Sequence, residues 1–152
     1  MRRVFFLFAA AVILSYAAGL YTHPPSSQEE YVTVAKVIDG DTVELTDGRR
    51  VRYEQINAPE TNEEFGSGAR ELNDTLVYGK SVRLEAGSET LDIYGRTLGF
   101  VWLADGRMVN ELMVAEGYAQ VVAYYGRKSK YYDILKSAQE EAKEESRGMW
   151  SD

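Results

Sequence analysis

Asp39-Gly40-Asp41-Thr42 stands where one β-rich run ends and another begins. Alternate side chains of an extended chain share a face, so Asp39 and Asp41 are aimed to one side while Gly40 allows the chain to bend. Two close carboxylates invite a divalent cation. An EF-hand loop does not fit. Counted from Asp39, the sixth position is Glu44 where glycine is required, and the twelfth is Arg50. An isolated Asp-Gly-Asp is equally well explained as an Asx-type turn at a strand end, so its meaning rests on what accompanies it.

Few other chemistries are open to this chain. It has no cysteine and a single histidine, His23, which excludes zinc fingers, thiol nucleophiles, disulfide scaffolds and His-triad hydrolases. Catalysis must use carboxylates, arginine, lysine, tyrosine or a hard metal held by oxygen. The net charge of −7 has the sign that disfavours a nonspecific electrostatic grip on nucleic acid.

The elements that must position these residues occupy one domain, since 152 residues of ordinary composition leave little room for a second. Met1-Arg2-Arg3 precedes an uncharged apolar run from Val4 to Tyr21. Residues 1–22 therefore read as a signal peptide, with Ser15-Tyr16-Ala17 as a cleavage site, or as an N-terminal membrane anchor; both stay open. Either way the positive-inside rule puts the remainder outside the cytoplasm, secreted or held on the outer face of the membrane. Residues 23–30 are polar and proline-rich, a linker, and the folded domain is expected over 31–152.

Strands are expected over 31–38, 42–45, 50–56, 81–85 and 98–103, with an extended segment over 118–125 and an Asp47-Gly48 hairpin turn. Helical spacing marks 68–78, 108–116 and 130–147, the last with Ile134, Leu135, Ala138 and Ala142 on its buried face. Met149 and Trp150 are expected to clasp the body. The pattern predicts an α+β protein, a five-stranded OB-fold β-barrel with about three helices.

Five fragments then occur in order: Val37-Ile38-Asp39-Gly40-Asp41-Thr42-Val43, Arg52 with Ala58-Pro59-Glu60-Thr61, Tyr94-Gly95-Arg96, Asp105-Gly106-Arg107-Met108-Val109-Asn110-Glu111 and Gly148-Met149-Trp150. Each is weak alone, but their order and spacing over nearly the whole domain make the chain resemble the staphylococcal-nuclease-like (thermonuclease) family.

The resemblance implies an exported, calcium-dependent endonuclease acting on DNA and RNA with low sequence specificity, as a monomer with single strands preferred. It places Ca2+ ligands at Asp41, Asn57 and the backbone carbonyl of Ala58, and catalytic roles at Arg52, Glu60 and Arg96. In the family the two arginines neutralise phosphoryl oxygens, the glutamate is general base, and cleavage at the 5′ oxygen leaves 3′-phosphate ends. Tyr94 and Tyr125 fall on its nucleotide-binding positions; its base-stacking tyrosine corresponds to Ala123, with Tyr124 as a substitute. The other tyrosines are expected to pack structurally.

Two departures stand out. Asn57 replaces an acidic ligand, which lowers the charge available to calcium. Glu54 follows Arg52 at a distance that puts both on one face, where an ion pair would either hold Arg52 or compete with substrate for it. Asn57 and the acidic balance also motivate a second reading, a noncatalytic OB-fold module binding single-stranded nucleic acid or a protein partner.

Overall fold

The computed structural model describes residues 29–151, so the export segment and most of the linker, His23 included, lie outside the described residues. Strand β1 (Glu29–Val37) takes in Glu29 and Glu30, which the sequence assigns to the linker. They are strand residues because they pair in register with Glu85 and Leu84. Strands β2 (Thr42–Leu45) and β3 (Arg50–Tyr53) form the expected hairpin, its turn closed by Gly48 at φ +86° and by Arg49 bonding the Asp47 carboxylate.

The expected strand over 50–56 is broken. Gln55 has φ +65°, and the chain resumes as the short strand β4 (Ile56–Asn57) in a separate sheet. After α1 (Gly66–Val77) comes β5 (Ser81–Leu91), longer than expected because its first half pairs with β1 and its length with β6 (Thr97–Trp102). Then follow α2 (Val109–Ala115), the two-residue strand β7 (Gln120–Val121) and α3 (Tyr132–Glu144). Only two residues of the extended segment at 118–125 enter a sheet, and Tyr124–Gly126 forms a 3-10 turn.

The barrel closes in the order β1-β2-β3-β6-β5, with β3 and β6 parallel. This is the expected α+β five-stranded OB-type barrel with three helices. Val34, Val37, Val43, Val51, Val82 and Val101 fill it, each essentially buried. β-branched side chains suit such a pleated, two-sided packing. The helical face differs from expectation in one residue: Leu135, Ala138 and Ala142 are buried, but Ile134 is 49% exposed and Gln139 takes the fourth inward position. Gln139 is inward because its Oε1 accepts the Val121 N–H at 2.7 Å, a β7 donor that would otherwise lack a partner. The carboxyl-terminal segment is held to the body by its backbone: Met149 N–H bonds Gly117 O at 2.9 Å, and a side chain on Gly117 would strike the Arg147 carbonyl.

Gly40 fixes how α1 and the β4–α1 loop sit on the barrel. A Cβ there would lie 2.6 Å from that of Ala58 and 2.7 Å from that of Ala69. Gly40→Ala is expected to cost about 1–3 kcal/mol through overpacking, read as a lower urea midpoint at unchanged slope. An unaltered midpoint would show that the loop yields freely.

Candidate active site

The β2–β3 ladder brings the first pair of site residues together. Thr42 lies opposite Arg52, and Tyr53 N–H bonds Asp41 O at 2.8 Å, so Asp41 and Arg52 become neighbours on adjacent strands. Arg52 Nη2 is 3.1 Å from Asp41 Oδ2, with both side chains nearly buried. A buried guanidinium needs more than one partner. Arg52 Nη1 donates to the carbonyls of Tyr53 (2.6 Å) and Ile56 (2.7 Å), and Nη2 also to Asn57 Oδ1 (3.0 Å) and the Tyr124 hydroxyl (3.3 Å).

Two of the expected metal ligands, Asp41 and Asn57, thus meet at Arg52. Ala58 N–H donates to Asp41 Oδ2 at 2.6 Å, folding the loop after β4 back onto the start of β2. Asp41 and Asn57 oxygens lie within hydrogen-bonding distance of the same Arg52 nitrogen, which places the two side chains side by side. Oxygen donors suit a hard cation, but this pair carries one formal charge. Among the described residues no group of three or more acidic, histidine or cysteine side chains is placed to hold a metal ion. The set fits a weakly held hard divalent cation. Asp39 takes the turn role: its Oδ1 accepts the Asp41 N–H at 2.9 Å.

Burial drives the Asp41 carboxyl up to about 6; Arg52 and the Ala58 N–H oppose the shift, and the nearby Asp39 adds to it. Asp92 moves the other way: despite some burial, hydrogen bonds from the Arg96 and Tyr94 backbone and from the Arg96 guanidinium hold it below the usual carboxylate range.

Arg52 and Arg96 both line a cleft of about 420 Å³ whose walls include Leu91, Ile93, Tyr94 and Leu98. Arg96 is anchored by Nε to Asp92 Oδ2 at 2.6 Å, and Gly95 at φ +77° lets the turn bring it there. Its guanidinium lies 5.3 Å from the centre of the Tyr94 ring, which is otherwise 76% exposed. Glu60 is exposed and does not line this cleft; its N–H bonds Glu63 Oε2 at 2.9 Å. Among the described residues the Glu60 carboxylate has no ion-pair partner. The Tyr125 side chain lies outside those described.

Two supporting residues, Gln55 and Asn73, gave no sequence signal. Gln55 grips the 127–129 loop from both sides, Nε2 to Arg127 O at 2.8 Å and Oε1 from Ser129 N–H at 2.9 Å. Asn73 accepts the Tyr53 hydroxyl at 2.8 Å and donates to Asp39 O at 2.9 Å, tying α1 to the metal-ligand turn. Asn110, wholly buried, accepts Val101 N–H at 3.0 Å and donates to Glu54 O at 3.0 Å. Glu54 is buried at the cleft floor against Gly87, where no side chain would fit. The charge partner that orients Arg52 is Asp41.

Residues 50–152 match the protein family described as staphylococcal nuclease homologue. A protein of Escherichia coli named as an uncharacterised endonuclease is 35% identical over 136 residues, covering 88% of this chain and 85% of that protein. The thermonuclease of Staphylococcus intermedius is 36% identical over 131 residues, 80% of this chain and 76% of its own. The micrococcal nuclease of Shigella flexneri is 32% identical over 157 residues, 95% and 87% respectively.

The raised Asp41 carboxyl sets a pH dependence. Its value in the fold, about 6, exceeds the ordinary 3.8, so the fold favours the protonated form. That contribution is complete below about pH 3.8 and is lost as pH rises through about 6. Relative to Asp41→Asn, which cannot ionise, metal-free protein should lose on the order of 2–3 kcal/mol of stability between pH 4 and pH 8. Parallel urea titrations of both proteins across that range test this, and a stability difference that stays flat or rises with pH contradicts it.

Proposed function

The chain belongs to the staphylococcal nuclease family and is a nuclease of that type; from that premise we propose that it is an exported, calcium-dependent endonuclease. Its substrates are DNA and RNA, with single strands preferred, and its products carry 3′-phosphate ends. The observation that carries this reading is the meeting of Asp41 and Asn57 on Arg52, which lines a cleft together with Arg96.

A phosphodiester in this cleft lies between two guanidinium groups held in place before it arrives. Arg52 is fixed by two carbonyls and a carboxylate, and Arg96 by Asp92, so neither must reorganise as charge gathers on the phosphoryl oxygens. Arg96, anchored through Nε, presents its Nη donors in the fork that matches a phosphate, while Arg52, whose Nη groups are held by protein oxygens, acts through its fixed charge. Asp41, Asn57 and the Ala58 carbonyl would hold calcium, which supplies Lewis acidity and a template for water when bound. Glu60, exposed just past Ala58, is free to take a proton from water as the general base.

Low specificity follows from this division of labour, because the charged groups address the backbone common to all nucleotides. The apolar walls and the exposed Tyr94 offer a stacking surface that every base can use and that a single strand presents most readily. Residues 1–22 direct the chain to the outside of the cytoplasm, either released or anchored there. The domain acts as a monomer.

Glu60→Gln should lower kcat on single-stranded DNA by about 10²–10⁴. Unchanged turnover would remove Glu60 from the mechanism. Asn57→Asp adds a charged ligand, so the half-saturating calcium concentration should fall in a side-by-side activity titration. Coincident curves would place the metal elsewhere, and activity that persists in chelator would remove the calcium dependence.

A further inference from the structure

A second groove, about 610 Å³, adjoins the cleft. The two depressions share Leu91, Tyr94 and Arg96, so they are neighbours with Arg96 at the junction between them. Their charge balance differs. The cleft sets Arg52, Arg96 and Arg127 against Glu54, Glu89 and Asp92. The groove is lined by Arg49, Arg50 and Arg96, and among the described residues none that lines it is acidic. In a chain with net charge −7 this concentration of cations is notable.

The three arginines are not equally available. Arg49 is held by Glu30 at 2.5 Å and by Asp47 at 2.7 Å. Arg96 is held by Asp92. Among the described residues Arg50 has only a long contact to Glu44, 3.4 Å, and its side chain is 59% exposed. The groove also runs between two bare turns: a side chain at Gly48 or Gly95 would meet nothing within 4 Å.

We propose that this groove is a polymer subsite, in which Arg50 binds a phosphodiester of the same strand, next to the one between Arg52 and Arg96. The strand crosses the junction over the exposed Tyr94, on which a base stacks. The inference rests on the nuclease reading of the cleft. It adds a contact for the strand beyond the reacting phosphate, where cleavage within a chain leaves further nucleotides to bind.

The test compares a single-stranded DNA 12-mer with a dinucleotide that has one phosphodiester, using wild type, Arg50→Ala and Arg107→Ala. Arg107 is an equally exposed arginine on another turn, so its loss controls for net charge. Arg50→Ala should lower kcat/KM on the 12-mer about tenfold, the loss of one charge-assisted contact, and leave the dinucleotide within about twofold. The slope of log affinity against log salt should shrink by about one contact, read by anisotropy of the labelled 12-mer without metal. Arg107→Ala should change neither. Equal losses on both substrates, or an Arg50→Ala protein that binds and cuts the 12-mer like wild type, would overturn the subsite. If wild type cleaves neither substrate, the nuclease reading fails while the anisotropy comparison still decides on Arg50.

Discussion

The buried guanidinium of Arg52 is the constraint around which the site is organised. A charge with this little exposure is tolerated only when its donors are matched, and removing one partner leaves an uncompensated charge at a cost of about 3–5 kcal/mol. The partners come from several pieces of chain: Asp41 just before β2, the Tyr53 carbonyl from β3, the Ile56 carbonyl and Asn57 from β4 beyond the break, and the Tyr124 hydroxyl from the 3-10 turn. Satisfying Arg52 therefore assembles the oxygens that can hold a metal.

The same requirement explains the irregular backbone. A regular strand over 50–56 would carry the Ile56 carbonyl away from Arg52. The positive φ at Gln55 turns the chain so that Ile56 pairs with Val121 while its carbonyl still faces the guanidinium. A left-handed conformation at a non-glycine residue costs about 1–3 kcal/mol, and here it is offset by the two hydrogen bonds of the Gln55 side chain and the one from Val122 to its carbonyl.

The acidic composition and the chemistry of the cleft are compatible because charge is local. Glu140, Glu141, Glu144 and Glu145 are exposed at the end of α3. Long-range attraction for a polyanion is weak in such a protein, and beyond about 8–10 Å salt screens most of it. Recognition then depends on short-range contacts, which fixed arginines and aromatic surface provide.

Most of the architecture was legible in sequence. Alternating valines, Asp-Gly turns and helical spacing gave the barrel, its hairpin and three helices, and the ordered fragments gave the family. These are local signals, written in residues a few positions apart. Boundaries and partners were not legible for the opposite reason. Ile134 has the hydrophobicity of a core residue, yet Gln139 takes the inward place because a backbone donor on β7 needs an acceptor. Gln55 and Asn73 are ordinary polar residues until the fold sets them beside unpaired backbone and hydroxyl groups. By itself the sequence determined which chemistry the chain can do: carboxylates, arginines and oxygen donors, with no thiol or histidine nucleophile. Tertiary structure alone decided that Asp41 rather than Asp39 faces Arg52, since hydrogen-bond satisfaction in the interior is settled between residues distant in sequence.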